Sequence, residues 1–86
     1  MEAVKKKVGR VTHYFTKIGV GIIRLEDELR VGDEISIEGA VTNFRQRVSS
    51  MEIEHRKVDA AKPGDSVGLK VEGRVREGDI VYKVGK

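Results

Sequence analysis
The chain has no cysteine and no tryptophan, a single proline (Pro63), and only Tyr14, Phe15, Phe44 and Tyr82 as aromatics. Without cysteine there are no disulfides to staple a small fold, no thiolate ligands for zinc and no thiol nucleophile. So few aromatics cannot make the stacking platform of a single-strand nucleic-acid binder. Long apolar runs are missing too: nothing approaches the roughly 20 residues that cross a bilayer, and the stretch from Met1 to Val8 lacks the apolar core of a secretory signal. A cytoplasmic protein with no membrane contact is expected. His13 and His55 are the only histidines, and neither has a close-spaced ligand partner, so both read as half-wet strand positions and no metal or other cofactor is expected. The chain also lacks a Gly-x-Ser-x-Gly nucleophile turn and a Gly-x-x-x-x-Gly-Lys-Ser/Thr phosphate loop, which argues against an enzyme and against nucleotide binding.

What is present fits one small domain. The 86 residues form a single unit, with a barrel over about 8–84 behind a short basic lead, 1–7; folding at this length buries only roughly 60% of the unfolded chain's surface. Charged residues make up 36% of the chain, beside a single Asn43 and a single Gln46, a balance known from proteins of heat-loving organisms. The net charge of +3 and pI of about 9.3 permit nucleic-acid contact without demanding it. Lys5-Lys6-Lys7, Arg45-Gln46-Arg47 and Arg56-Lys57 are basic clusters and Glu26-Asp27-Glu28 an acidic one. Each alone reads as a solvated face or as lysine protection of a sheet edge.

The dipeptide Gly-Asp occurs three times, always two residues ahead of a β-branched aliphatic: Gly32-Asp33-Glu34-Ile35, Gly64-Asp65-Ser66-Val67 and Gly78-Asp79-Ile80-Val81. Glycine supplies turn freedom, aspartate caps nearby amides, and the aliphatic suits a pleated surface, so three strands start alike. Val8 to Phe15 and Val20 to Leu25 read as the first two strands, Glu34 to Glu38 alternates strictly with Ile35 and Ile37 inward, and Ile80 to Val84 closes the chain. Lys57 to Lys62, stopped by Pro63, is a loop or one turn of helix. Six or seven short strands with glycine turns indicate an all-β barrel or sandwich. The inward set comprises Val11, Ile22, Ile35, Ile37, Phe44, Val48, Met51, Ile53, Val67, Leu69 and Val71.

Between Val41 and Val48, Arg45 and Arg47 share the outer face opposite Phe44, Gln46 and Val48. The next alternating set, Met51, Ile53 and His55, is out of phase, so a bulge or bend near Ser49-Ser50 is required. Glu52, Glu54 and Arg56 then emerge outward, with Lys57 following, beside Arg45 and Arg47, giving a mixed, net-positive patch. Adjacent solvated glutamates such as Glu52 and Glu54 make surface ion pairs more often than a catalytic pair.

The segments Leu29 to Ile37, Met51 to Arg56, Ala61 to Leu69 and Arg76 to Val81 together resemble domain 2 of translational GTPases such as elongation factor Tu. The resemblance implies a small closed six-stranded barrel of Greek-key type, standing alone and without catalysis. It also implies a partner, tRNA, rRNA or a ribonucleoprotein: Glu52 matches the glutamate of the family's terminal-adenosine pocket. Glu54 and Ser66 depart from the family's usual residues, so general phosphate contact through His55, Arg56 and Lys57, with Arg45 and Arg47, is the expected mode. The alternative is a protein-interaction adaptor docking on a larger enzyme or complex, since some small peptidases and modification complexes carry similar barrels.

Overall fold
The structure is a computed structural model and describes residues 4–85. Its regular elements are ten strands, with no helix among the described residues. They are β1 (Val4–Phe15), β2 (Val20–Leu25), β3 (Leu29–Arg30), β4 (Glu34–Glu38), β5 (Asn43–Arg47), β6 (Met51–Ile53), β7 (Arg56–Val58), β8 (Ala60–Ala61), β9 (Ser66–Lys70) and β10 (Ile80–Gly85). Eight form one antiparallel sheet in the order β5-β4-β10-β1-β2-β9-β6-β7, and β3 and β8 form a separate pair. No helix in the described residues is long and apolar enough to cross a membrane.

The expected closed barrel is not formed by the main chain: β5 and β7 end the ladder and do not pair with each other. Side chains bridge part of the opening instead. The buried Gln46 on β5 donates from Nε2 to the Lys70 carbonyl at 2.9 Å and accepts from the Glu72 amide at 2.8 Å, fastening the β5 edge to the chain leaving β9. Beside it the Phe44 ring packs on Gly73, where an added Cβ would lie 3.0 Å from the ring.

The three Gly-Asp sites are one device used three times. In each, the aspartate amide donates to the carbonyl three residues back, Arg30, Lys62 or Arg76, at 3.1 Å. Its carboxylate accepts from the amide of that same residue at 2.8–2.9 Å. Gly32, Gly64 and Gly78 lie at φ of 98, 93 and 93°, the third position of a type II turn, which only glycine takes without strain. Each glycine amide donates to a buried residue, Val48, Leu25 or Val11, whose own amide donates back to the aspartate carbonyl. A strand, β4, β9 or β10, begins within one residue of each turn.

One apolar core fills the interior, built from Val8, Val11, Ile23, Leu25, Leu29, Ile35, Ile37, Val48, Met51, Val67, Leu69, Val75 and Val81 among others. Burial of each of these large side chains contributes on the order of 1.5–3 kcal/mol. Phe44 and Ile53 are only partly buried against it. Ile22 is not part of it: β2 is apolar on both faces, so its alternation carries no phase, and pairing decides. Ile23 stands opposite Val11 and Val67 and points inward, leaving Ile22 outward opposite Gly68.

Three further expectations are corrected. Residues 57–62 contain no helical turn; they complete β7 and supply β8. The phase change at Ser49-Ser50 is no bulge within one strand, because β5 pairs only with β4 whereas β6 pairs with β7 and β9, so the chain crosses from one end of the ladder towards the other. The bulges lie in β1 instead, between Lys7 and Gly9 and between Val11 and His13. The basic residues 5–7 are not a free lead but belong to β1, pairing with β10 beyond the end of the β1–β2 ladder at Gly9. Lys5, Lys6 and Lys7 reach Glu38, Asp27 and Glu26 at 2.7, 2.8 and 3.4 Å. The side-chain hydrogen bond with Lys6 lowers the Asp27 pKa and raises that of Lys6, and the bond from Lys5 chiefly lowers that of Glu38.

Candidate functional site
On the outer face of β1, β2, β9 and β6 lies a groove of about 360 Å³. Strand pairing sets its floor in rows: Phe15, Val20 and Lys70 in one, and His13, Ile22, Gly68, Glu52 and Lys57 in the next. At its centre Gly68 has no side chain, and the depression exists because of that. A Cβ there would meet Val20 at 3.5 Å and Ile22 at 3.7 Å, ordinary contact distances. One wall is apolar, made by Phe15, Ile18, Val20 and Ile22. Phe15 is 44% exposed and Ile18, in the β1–β2 turn, 62% exposed. Ile18 also lines two neighbouring depressions, so the apolar surface runs on beyond the groove. Phe15 and Ile18 thus give the groove an apolar lip in a chain otherwise rich in charge.

The opposite wall is acidic. Glu52 projects from β6, and Glu54 and His55 form the two-residue turn between β6 and β7, closed by the pair Ile53 and Arg56. Both turn residues have positive φ, 51° and 67°, the geometry of a type I′ hairpin, normally built from Asn-Gly. Placing a glutamate and a histidine there stores roughly 1–3 kcal/mol of strain per residue, a cost that concentrates at functional sites. Neither Glu52 nor Glu54 forms an ion pair among the described residues. Near the apolar wall, His13 packs on Phe15 with ring centroids 4.5 Å apart, and its Nδ1 is 3.6 Å from Glu77. No group of three potential metal ligands exists among the described residues.

The residues expected in one basic patch stand on strands that do not pair with one another: β5 on one hand, β6 and β7 on the other. Glu52, Glu54 and His55 line the groove, and Lys57 flanks Glu52 in its row. Arg56 closes the turn opposite Ile53. Arg45 and Arg47 lie on β5 at the other end of the ladder, sharing rows with Ser36 and Glu34, and Arg47 reaches only the Gly32 carbonyl, at 3.5 Å. The apolar wall went unread in the sequence. The signal was there: Phe15 and Ile18 bracket a turn, where exposed large apolar residues need a reason.

Comparison with known proteins bears on what this surface belongs to. No protein-family profile matches the chain. An uncharacterized protease of Methanocaldococcus jannaschii is 43% identical over 79 residues, which is 91% of this chain and 19% of that protein. A collagenase of Porphyromonas gingivalis is 34% identical over 84 residues, 95% of this chain and 23% of the collagenase. The chain thus spans about a fifth of the length of the curated relatives it matches. The solved C-terminal domain of a U32 peptidase from Geobacillus thermoleovorans matches with a TM-score of 0.87 at 26% identity, over 91% of this chain and 99% of that domain. The chain resembles a U32 peptidase C-terminal domain.

That likeness overturns the elongation-factor resemblance, and with it translation and RNA binding as the reading of Arg45, Arg47, Glu52, Glu54, His55, Arg56 and Lys57. The physical reason is visible in the residues that carried it. Gly32-Asp33, Gly64-Asp65 and Gly78-Asp79 make turns, and Ile35, Ile37, Ile53, Val67 and Leu69 pack inside or against the core. These positions encode a curled antiparallel sheet, and unrelated functions share such sheets. The U32 C-terminal domain and this chain have that sheet in common over nearly their full lengths.

Proposed function
We propose that this chain is a non-catalytic docking domain that works with a U32-type peptidase, holding a polypeptide, either the peptidase core or the protein being cleaved, on its outer face. The observation that carries the reading is the match to a solved U32 peptidase C-terminal domain over 99% of that domain. The curated relatives support it, since a protease and a collagenase each devote about a fifth of their length to the matching segment. The groove supports it as well, because a shallow apolar surface walled by carboxylates suits binding better than bond cleavage.

The test mixes this chain with the Methanocaldococcus jannaschii protease lacking its matching segment. Calorimetry measures binding, and casein and gelatin serve as cleavage substrates. The expected outcome is that the chain alone cleaves neither, and that it either binds the truncated protease or restores its cleavage rate. Cleavage by the isolated chain, or no effect on the protease by either measure, would reject the reading.

A further inference from the structure
We infer that the groove over Gly68 takes an extended polypeptide segment in which bulky apolar side chains alternate with lysine or arginine. The inference deepens the docking reading and depends on it only for the ligand being a polypeptide.

Its two walls specify the occupant. Ile18, Ile22 and Phe15 offer an apolar surface, and that of Ile18 is 62% exposed. Facing it are the carboxylates of Glu52 and Glu54, which have no ion-pair partner among the described residues. Lys57 shares the row of Glu52 and Lys70 that of Val20, yet neither forms an ion pair with Glu52 or Glu54 among the described residues, so the two carboxylates stay open to a ligand cation. An extended chain throws successive side chains to opposite sides. A segment of alternating leucine and arginine therefore presents leucine to the Ile18 and Ile22 wall and guanidinium to the glutamates. Gly68 allows the ligand backbone to approach the floor. The strained Glu54-His55 turn holds one of the two carboxylates at the lip, which explains why an unfavourable turn pair is kept where Asn-Gly would be more stable.

The experiment titrates the isotope-labelled chain with three capped hexapeptides: leucine alternating with arginine, with glutamine, and with glutamate. Amide chemical shifts locate binding and give its affinity. The arginine peptide should shift the amides of Ile18, Ile22, Glu52, Glu54 and Gly68, and the glutamate peptide should not bind. The double variant Glu52→Gln with Glu54→Gln should weaken the arginine peptide by roughly tenfold, the effect shrinking at high salt. Gly68→Leu should fill the floor and abolish binding of the arginine and glutamine peptides alike. A Cβ at Gly68 meets only ordinary contacts, and dispersed amide signals would verify that the larger leucine leaves the fold intact; the glutamine variants test the same point without adding bulk. Arg45→Ala, on β5, should bind as the parent does.

Equal affinity for the three peptides would overturn the inference, as would shifts confined to other surfaces. So would groove signals that change with protein concentration in the absence of peptide, which would assign the surface to a second copy of the chain. If the peptides fail while the truncated protease still binds, docking stands and uses another face. If the arginine peptide binds in the groove while the protease does not respond, the groove assignment stands and the peptidase reading falls.

Discussion

At the scale of single residues, the unusual choices cluster around one surface. Glu54 and His55 are the two non-glycine residues with positive φ among those described. Nothing in the core requires either, as both are exposed at a hairpin tip. Their strain is therefore removable. Replacing the pair by Asn-Gly, the sequence that the type I′ turn favours, should raise stability by about 1 kcal/mol or more, read as a higher urea midpoint at unchanged slope. An unchanged or lower midpoint would mean that the turn is not strained. Glu54 also illustrates the limit of alternation: extended from Met51 and Ile53, the pattern makes His55 a strand residue, whereas β6 stops at Ile53 because a two-residue turn returns the chain as β7. No Asn or Gly announced that turn.

At the scale of elements, the three Gly-Asp turns look alike in sequence but differ in burial. The Asp79 side chain belongs to a buried residue and lies so close to Gly39 that an added Cβ there would run into its carboxylate, whereas Asp33 is only half-buried. Removing either carboxylate leaves a turn amide, of Arg76 or Arg30, without its acceptor. Water can replace the acceptor more readily at the open site. Asp79→Ala should therefore cost about 2–3 kcal/mol and Asp33→Ala about 1 kcal/mol in denaturant melts. Equal costs would show that burial does not govern these turns.

The ion pairs of β1 give a dependence on pH. Asp27 and Glu38 have pKa values lowered on folding, so their contribution is complete above the ordinary carboxylate range and is lost as pH falls through their lower folded values. The raised pKa of Lys6 works at the other end: its contribution is complete below the ordinary lysine value and is lost as pH rises through the higher folded one. Stability should therefore be flat around neutrality and fall on the acid side below about pH 4. Asp27→Asn should flatten part of that fall in thermal melts. An acid limb identical to that of the parent would exclude the Lys6–Asp27 pair as a contributor.

At the scale of the whole molecule, the open ladder needs a fastening, and Gln46 supplies it. Its buried amide satisfies the Lys70 carbonyl and the Glu72 amide together, across the gap between β5 and the segment after β9. Gln46→Leu keeps the volume and leaves both backbone groups unpaired, so it should cost about 2–4 kcal/mol. The same variant should speed hydrogen exchange at Glu72 and along β5 first. Uniform exchange across all strands would mean that the sheet is not held together at this point.

Much of this was legible without a structure. Strict alternation placed Ile35 and Ile37 inside, because a strand with one polar face has only one orientation that buries its apolar residues. The Gly-Asp dipeptides marked the starts of β4, β9 and β10, because a type II turn is local chemistry that a few neighbouring residues complete. Gln46 was visible as an inward polar residue on the face of Phe44 and Val48, though not what it bonds. Pairing between strands distant in the chain decided the rest. It chose Ile23 over Ile22 in a strand apolar on both faces, and it paired β6 with β7 and β9 while β5, with Arg45 and Arg47, paired with β4. It also set Gly68 between Ile22 and Glu52, opening a groove with one apolar and one acidic wall. Local sequence fixes which residues turn and which alternate, but a surface is made of rows that run across strands, and only tertiary pairing writes those rows.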